Sequence, residues 1–205
     1  MNDTINDETI NNEKKISISG TNNRYQIKKL VNNKSEPKKR KTTLKWTISE
    51  EWLSDENQKI MITELYNSKI LKTQENTNVD IDTINRSEII IAELNKKIAS
   101  YKQQDLLRKL FDPEKFIDLN TIIQNLYECN LNCYYCKEKM AILYEIVREM
   151  KQWTVDRIDN DTGHNNDNII MACLDCNLNR RRKNKDAFLF TKQLNIVKSE
   201  ENNSV

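Results

Sequence analysis

The sequence predicts an α+β protein, mostly helical, whose only hairpin lies in the C-terminal third. Three observations carry this. Apolar residues recur at spacings of three and four across much of residues 54–127, and the chain has only two Gly and two Pro in 205 residues to interrupt helices. Two C-x-x-C pairs, Cys133 with Cys136 and Cys173 with Cys176, are separated by 36 residues. Between them the apolar period shortens: Trp153, Val155 and Ile158 stand among polar residues, residues 160–163 carry turn chemistry, and a second short apolar run covers residues 168–172.

Composition bounds the rest. With 31% charged residues the chain is polar, with room for one compact domain plus extensions. The formal net charge is only +2, so any case for nucleic acid rests on local clusters and not on the total. No apolar run is long enough to cross a bilayer, and the N-terminus lacks the apolar core of a secretory signal. The expectation is therefore an intracellular protein that is not secreted, with cysteines kept reduced and available to metal.

In order, residues 1–42 are rich in Asn, Asp, Glu, Lys and Ser and are expected to be disordered. They include Pro37-Lys38-Lys39-Arg40-Lys41, which reads as a nuclear import signal, an arm that contacts phosphates, or a solvated charge run. Residues 43–128 form a helical region. Trp46 and Trp52 flank its start, and Ser54 caps a helix to about residue 72 with Ile60, Met61, Leu65 and Ile70 on its buried stripe. Residues 74–82 read as a linker. A second helix, about 87–111, carries Ile91, Leu94, Ile98, Tyr101, Leu107 and Leu110 and stops at Asp112-Pro113. That spacing suits ordinary core and also helix pairing in a homodimer. A third helix, about 114–127, offers Phe116, Leu119, Ile122, Ile123 and Leu126.

Residues 129–198 form a cysteine-bearing module, followed by a frayed terminus at 199–205. Residues 138–150 are predicted as an amphipathic helix through Met140, Leu143, Ile146, Val147 and Met150. The hairpin follows, then a helix from Cys173 that carries Leu174, Leu178 and the run Arg180, Arg181, Arg182, Lys183, and a last helix over 187–194. Four thiolates from two C-x-x-C knuckles supply the tetrahedral sulfur set of a structural zinc site, against a disulfide pair or inert core cysteines. Cys129, four residues before Cys133, is assigned to packing. Tyr134 and Tyr135 inside the knuckle cover the metal or stack on a base.

This ordered segment, C-Y-Y-C, then W-T-V-D-R-I-D-N, then G-H-N-N-D-N-I-I-M-A-C-L-D-C-N, resembles the zinc-bound HNH (ββα-metal, treble-clef-like) endonucleases, and is similar to the recombination endonuclease VII group. The resemblance covers roughly a quarter of the chain. It implies a metal-dependent endonuclease that hydrolyses DNA phosphodiester bonds. Zn2+ would be bound structurally by Cys133, Cys136, Cys173 and Cys176, and catalytic Mg2+ by Asp156 and Asn177, with Asn168 holding the hairpin. It also raises branched DNA and a homodimer.

The sequence departs from that family at one position. Arg157 stands where the general-base His is expected, and a guanidinium cannot take a proton from water. His164, the chain's only histidine, and Asp159 are the candidate replacements, and Arg157 becomes a candidate phosphate clamp. Arg157, Arg180, Arg181, Arg182 and Lys183 are then the candidate nucleic-acid contacts, neutralising phosphates with little base reading. The alternative is a non-catalytic, zinc-dependent DNA-binding module.

Overall fold

The computed structural model of the chain describes residues 37–46, 49–70 and 81–194. The predicted disorder of residues 1–36, most of the linker and the frayed terminus lie outside these residues. Ser54 starts α1 (Asp55–Lys69), its hydroxyl accepting the Asn57 N–H at 3.3 Å. The buried stripe of α1 is Gln58, Met61, Ile62 and Leu65, whereas Ile60, predicted for it, is 46% exposed. Helix α2 (Ile81–Arg108) begins earlier than predicted and ends earlier. Lys109 takes a left-handed conformation (φ 59°), so the helix stops before Asp112-Pro113. Helix α3 (Leu119–Glu128) starts later than predicted because Asp118 caps it, accepting the Thr121 N–H at 2.7 Å.

The hairpin pairs β1 (Trp153–Arg157) with β2 (Ile169–Cys173), antiparallel, with Trp153 opposite Cys173 and Arg157 opposite Ile169. Helix α4 (Leu174–Arg180) follows β2 directly, and α5 (Lys185–Gln193) closes the described chain. Arg181 breaks α4 with φ 54°, so Arg181, Arg182 and Lys183 lie beyond the helix and not on it. Among the described residues no helix is long and apolar enough to cross a membrane.

A two-stranded ribbon does not stand alone in water. Here it is held by a core drawn from every part of the described chain: Met61 and Leu65 from α1, Leu94 from α2, Ile123 and Leu126 from α3, Trp153 and Val155 from β1. Each fully buried side chain of this size contributes about 2 kcal/mol. The helical region and the cysteine-bearing segment thus share a single core, continuous across residues 128 and 129.

Two predictions fail for identifiable reasons. Residues 138–150 form no helix. Met140, Ile142 and Leu143 are the buried anchors, Val147 and Met150 are exposed, and Arg148 adopts φ 61°. The backbone of this loop is satisfied from outside it. Gln58 of α1 accepts the N–H groups of Ile142 (2.6 Å) and Leu143 (3.0 Å) and donates to the carbonyls of Leu143 and Leu53. The disordered tail, predicted to reach residue 42, also ends sooner. Arg40 pairs with Glu93 at 2.5 Å, lies 4.3 Å from the Tyr144 ring centroid, and donates its backbone N–H to Glu145. The basic run therefore contributes one half-buried structural cation, with Lys38, Lys39 and Lys41 left exposed.

Gln58→Ala orphans two buried backbone N–H groups, which should cost about 3 kcal/mol. Urea denaturation followed by circular dichroism measures it, and a loss below about 1 kcal/mol would show that water replaces the amide.

Candidate metal centre and cationic cleft

The knuckle after α3 and the junction of β2 with α4 bring four sulfurs together. The Sγ atoms of Cys133, Cys136, Cys173 and Cys176 all lie within 4.8 Å of one another. Backbone N–H groups already point at sulfur, Cys173 N at Cys133 Sγ (3.3 Å) and Cys176 N at Cys173 Sγ (3.4 Å), as thiolates require. A bond from the Cys173 thiol pulls the Cys133 thiol below its usual range, the same bond pushes Cys173 up, and burial pushes Cys176 up. Four thiols this close cannot all ionise without a cation between them. A tetrahedral divalent ion removes the conflict by ligating all four as thiolates, and this all-sulfur donor set fits zinc. Cys129 stands outside the cluster, its thiol donating to the Leu126 carbonyl.

The same junction fixes α4 against β1. Asn177 donates its amide to Thr154 Oγ1 (3.0 Å) and to the Val155 carbonyl (3.2 Å). Arg180, predicted to meet nucleic acid, is instead only 1% exposed and acts as a staple. It bonds Asp156 Oδ1 (2.8 Å) and the carbonyls of Arg157 (2.5 Å) and Ile158 (2.7 Å). Asp156 Oδ2 accepts the hydroxyl of fully buried Tyr135 at 2.7 Å. Burial raises the Asp156 carboxyl above its usual range, with Tyr135 and Arg180 pulling the other way.

The hairpin loop is tied by one side chain. Asn168 donates to the Asp159 and Gly163 carbonyls and to Thr162 Oγ1, and accepts the Asp159 N–H at 2.8 Å. Gly163 packs so closely on the end of α2 that a Cβ there would overlap the Leu110 carbonyl. His164 comes next. Its backbone N–H donates to Asp105 Oδ2 (2.7 Å), its Nδ1 pairs with Asp105 Oδ1 (2.8 Å), and its ring stacks on Tyr101 at 4.7 Å. Burial lowers its pKa, with Asp105 opposing and Arg157 and Arg108 assisting.

These elements enclose a cleft of about 630 Å³ lined by Asp156, His164, Asn177, Asn160, Asn179 and Tyr101 together with five arginines, Arg108, Arg148, Arg157, Arg181 and Arg182. Arg157 donates to the Thr162 carbonyl at 3.0 Å and is largely buried. Asp159 sits elsewhere: its carboxylate accepts the Asp161 N–H and it borders a separate groove of about 380 Å³ with Arg182, Lys183 and Lys185. Lys183 is exposed and lies 5.7 Å from the Phe188 ring centroid.

Asp156 and Asn177 share this cleft, but the residues do not fit Mg2+. Both Asp156 oxygens are occupied by Arg180 and Tyr135, and the cleft carries five guanidiniums against that single carboxylate. Sequence reasoning missed Asp105, Arg108 and Arg148. A signal existed for Asp105, a carboxylate on the stripe Leu94, Ile98, Tyr101 of α2, and it is wholly buried. No protein-family model matches the chain, and no curated protein or solved structure matches it.

Purified protein should hold one zinc per chain by native mass spectrometry, with Cys173→Ser losing both the metal and the hairpin's protection from hydrogen exchange; a protected hairpin without metal would contradict a structural role. Arg180→Met leaves Asp156 buried and unpaired, at an expected cost of about 3–5 kcal/mol, whereas adding Asp156→Asn should recover much of it. Additive losses would show that the pair is not coupled.

Proposed function

We propose that this protein binds the phosphate backbone of nucleic acid in the cleft between the hairpin, the end of α4 and the end of α2, on a scaffold organised by zinc. One observation carries the reading: arginines from four separate segments, Arg108 at the end of α2, Arg148 in the loop, Arg157 in β1, and Arg181 and Arg182 beyond α4, line one concavity. A solvated charge run would lie along one element. The one carboxylate of the cleft, Asp156, is already neutralised by Arg180, so the field offered to an incoming polyanion is positive despite a net charge of +2. Arginine's planar fork suits phosphate oxygens, and backbone contacts of this kind carry no sequence information.

The second reading is the metal-dependent, HNH-type DNA endonuclease implied by the resemblance, and the placing of Asp156, Asn177 and His164 on one cleft favours it. Its difficulty is that Asp156 must give up a buried partner to take a cation.

Affinity for duplex DNA should fall steeply with salt, and Arg181→Gln and Arg182→Gln should each flatten the log–log slope by about 1 while leaving zinc content unchanged. A salt-independent affinity, or variants that bind as the parent does, would rule out the cleft. Plasmid should stay covalently closed in millimolar magnesium. Nicking that requires magnesium and disappears in Asp156→Asn would establish the endonuclease instead.

A further inference from the structure

The His164–Asp105 pair ties the hairpin loop to α2. Asp105 is wholly buried on α2 and spends both oxygens on one residue, His164, fixing its backbone and its ring together. Nδ1 is committed to that carboxylate, so in the neutral ring Nε2 carries the lone pair. His164 lines the cleft, where Tyr101 and Arg108 of α2 and Arg157 of β1 face it besides Asp105. Burial and the two arginines hold the ring neutral at neutral pH, the form that accepts a proton.

From this geometry we infer that the cleft cleaves RNA without a divalent metal, His164 acting as general base on a ribose 2′-hydroxyl. The inference rests on the cleft being a phosphate-binding site. A DNA diester must be attacked by an external water, which the cleft would have to capture and hold in line. RNA carries its own nucleophile next to phosphorus, which makes the attack intramolecular. His164 Nε2 takes the 2′-hydroxyl proton while the 2′-oxygen–phosphorus bond forms and the phosphorus–5′-oxygen bond breaks. The departing 5′-oxygen takes a proton from water, and the imidazolium returns its proton to the hydroxide so formed. The products are a 2′,3′-cyclic phosphate and a 5′-hydroxyl end, with no oxidant and no net water consumed. Arg108, Arg157 and Arg181 stabilise the charge that builds on the phosphoryl oxygens. Asp105 is a positioning residue that holds the tautomer.

The test uses the zinc-loaded full chain, a single-stranded RNA, the same sequence as DNA, and the RNA with one 2′-deoxy position, all in magnesium-free buffer. RNA should be cut to cyclic-phosphate ends, DNA should be bound and left whole, and the 2′-deoxy position should be skipped. His164→Ala should keep zinc but lose about 10²–10⁴-fold in rate, with partial rescue by added imidazole. Asp105→Asn should slow cleavage and move its acid limb, which in the parent lies below the ordinary imidazole range. RNA bound and left intact, scission at the 2′-deoxy position, or parental rates in folded His164→Ala and His164→Gln would each overturn the inference while the binding site stands. Failure to bind either polymer overturns the binding site and this inference together.

Discussion

Four sulfurs within 4.8 Å of one another tie the first knuckle to the junction of β2 and α4, where two of the shortest elements of the fold meet. Helix α4 has seven residues and the hairpin strands five each, lengths at which neither element is stable in isolation. Cys173 belongs to β2 and caps α4, and Cys176 lies in that helix's first turn, so an ion held by the four sulfurs would set the rotation of α4 relative to the hairpin. Once that rotation is fixed, Asn177 reaches Thr154 and Val155, and Arg180 reaches Asp156. The break at Arg181 then releases the next cations toward the cleft.

The buried pair between Arg180 and Asp156 has a consequence beyond stability. A carboxylate left open to the cleft would invite a cation and oppose a phosphate. Paired with Arg180 and bonded by Tyr135, it does neither, and the other charged side chains on the cleft wall are arginines. Tyr135 couples this neutralisation to the metal centre, since it lies between Cys133 and Cys136 in the first knuckle. The cysteine cluster, the carboxylate and the cleft are therefore linked through largely buried side chains.

Features with a local cause were legible in the sequence. The cysteine spacing, the Ser54 cap, the hairpin and the turn before Gly163 each depend on a few adjacent residues, and the chain is a mixed α and β fold as its periodicities indicate. Features with a distant cause were not. Residues 138–150 have a helical apolar period, yet their backbone is claimed by Gln58, about 85 residues away in sequence. Arg180 reads as one of a run of surface cations, and only the approach of β1 turns it inward. Gln58 and Asp105 both left a trace, each a polar residue set on an otherwise apolar helical stripe, and each proves to be buried and fully bonded to a loop from elsewhere.

The most direct measurement is a heteronuclear NMR titration of the zinc-loaded protein with a short single-stranded oligonucleotide. Shift changes should concentrate at Arg108, Arg157, His164 and Asn177 to Arg182, should spare α1 and α3, and should collapse on raising the salt. Changes confined to the far side of the helices, or none at saturating oligonucleotide, would contradict the assignment of the cleft to a phosphate backbone.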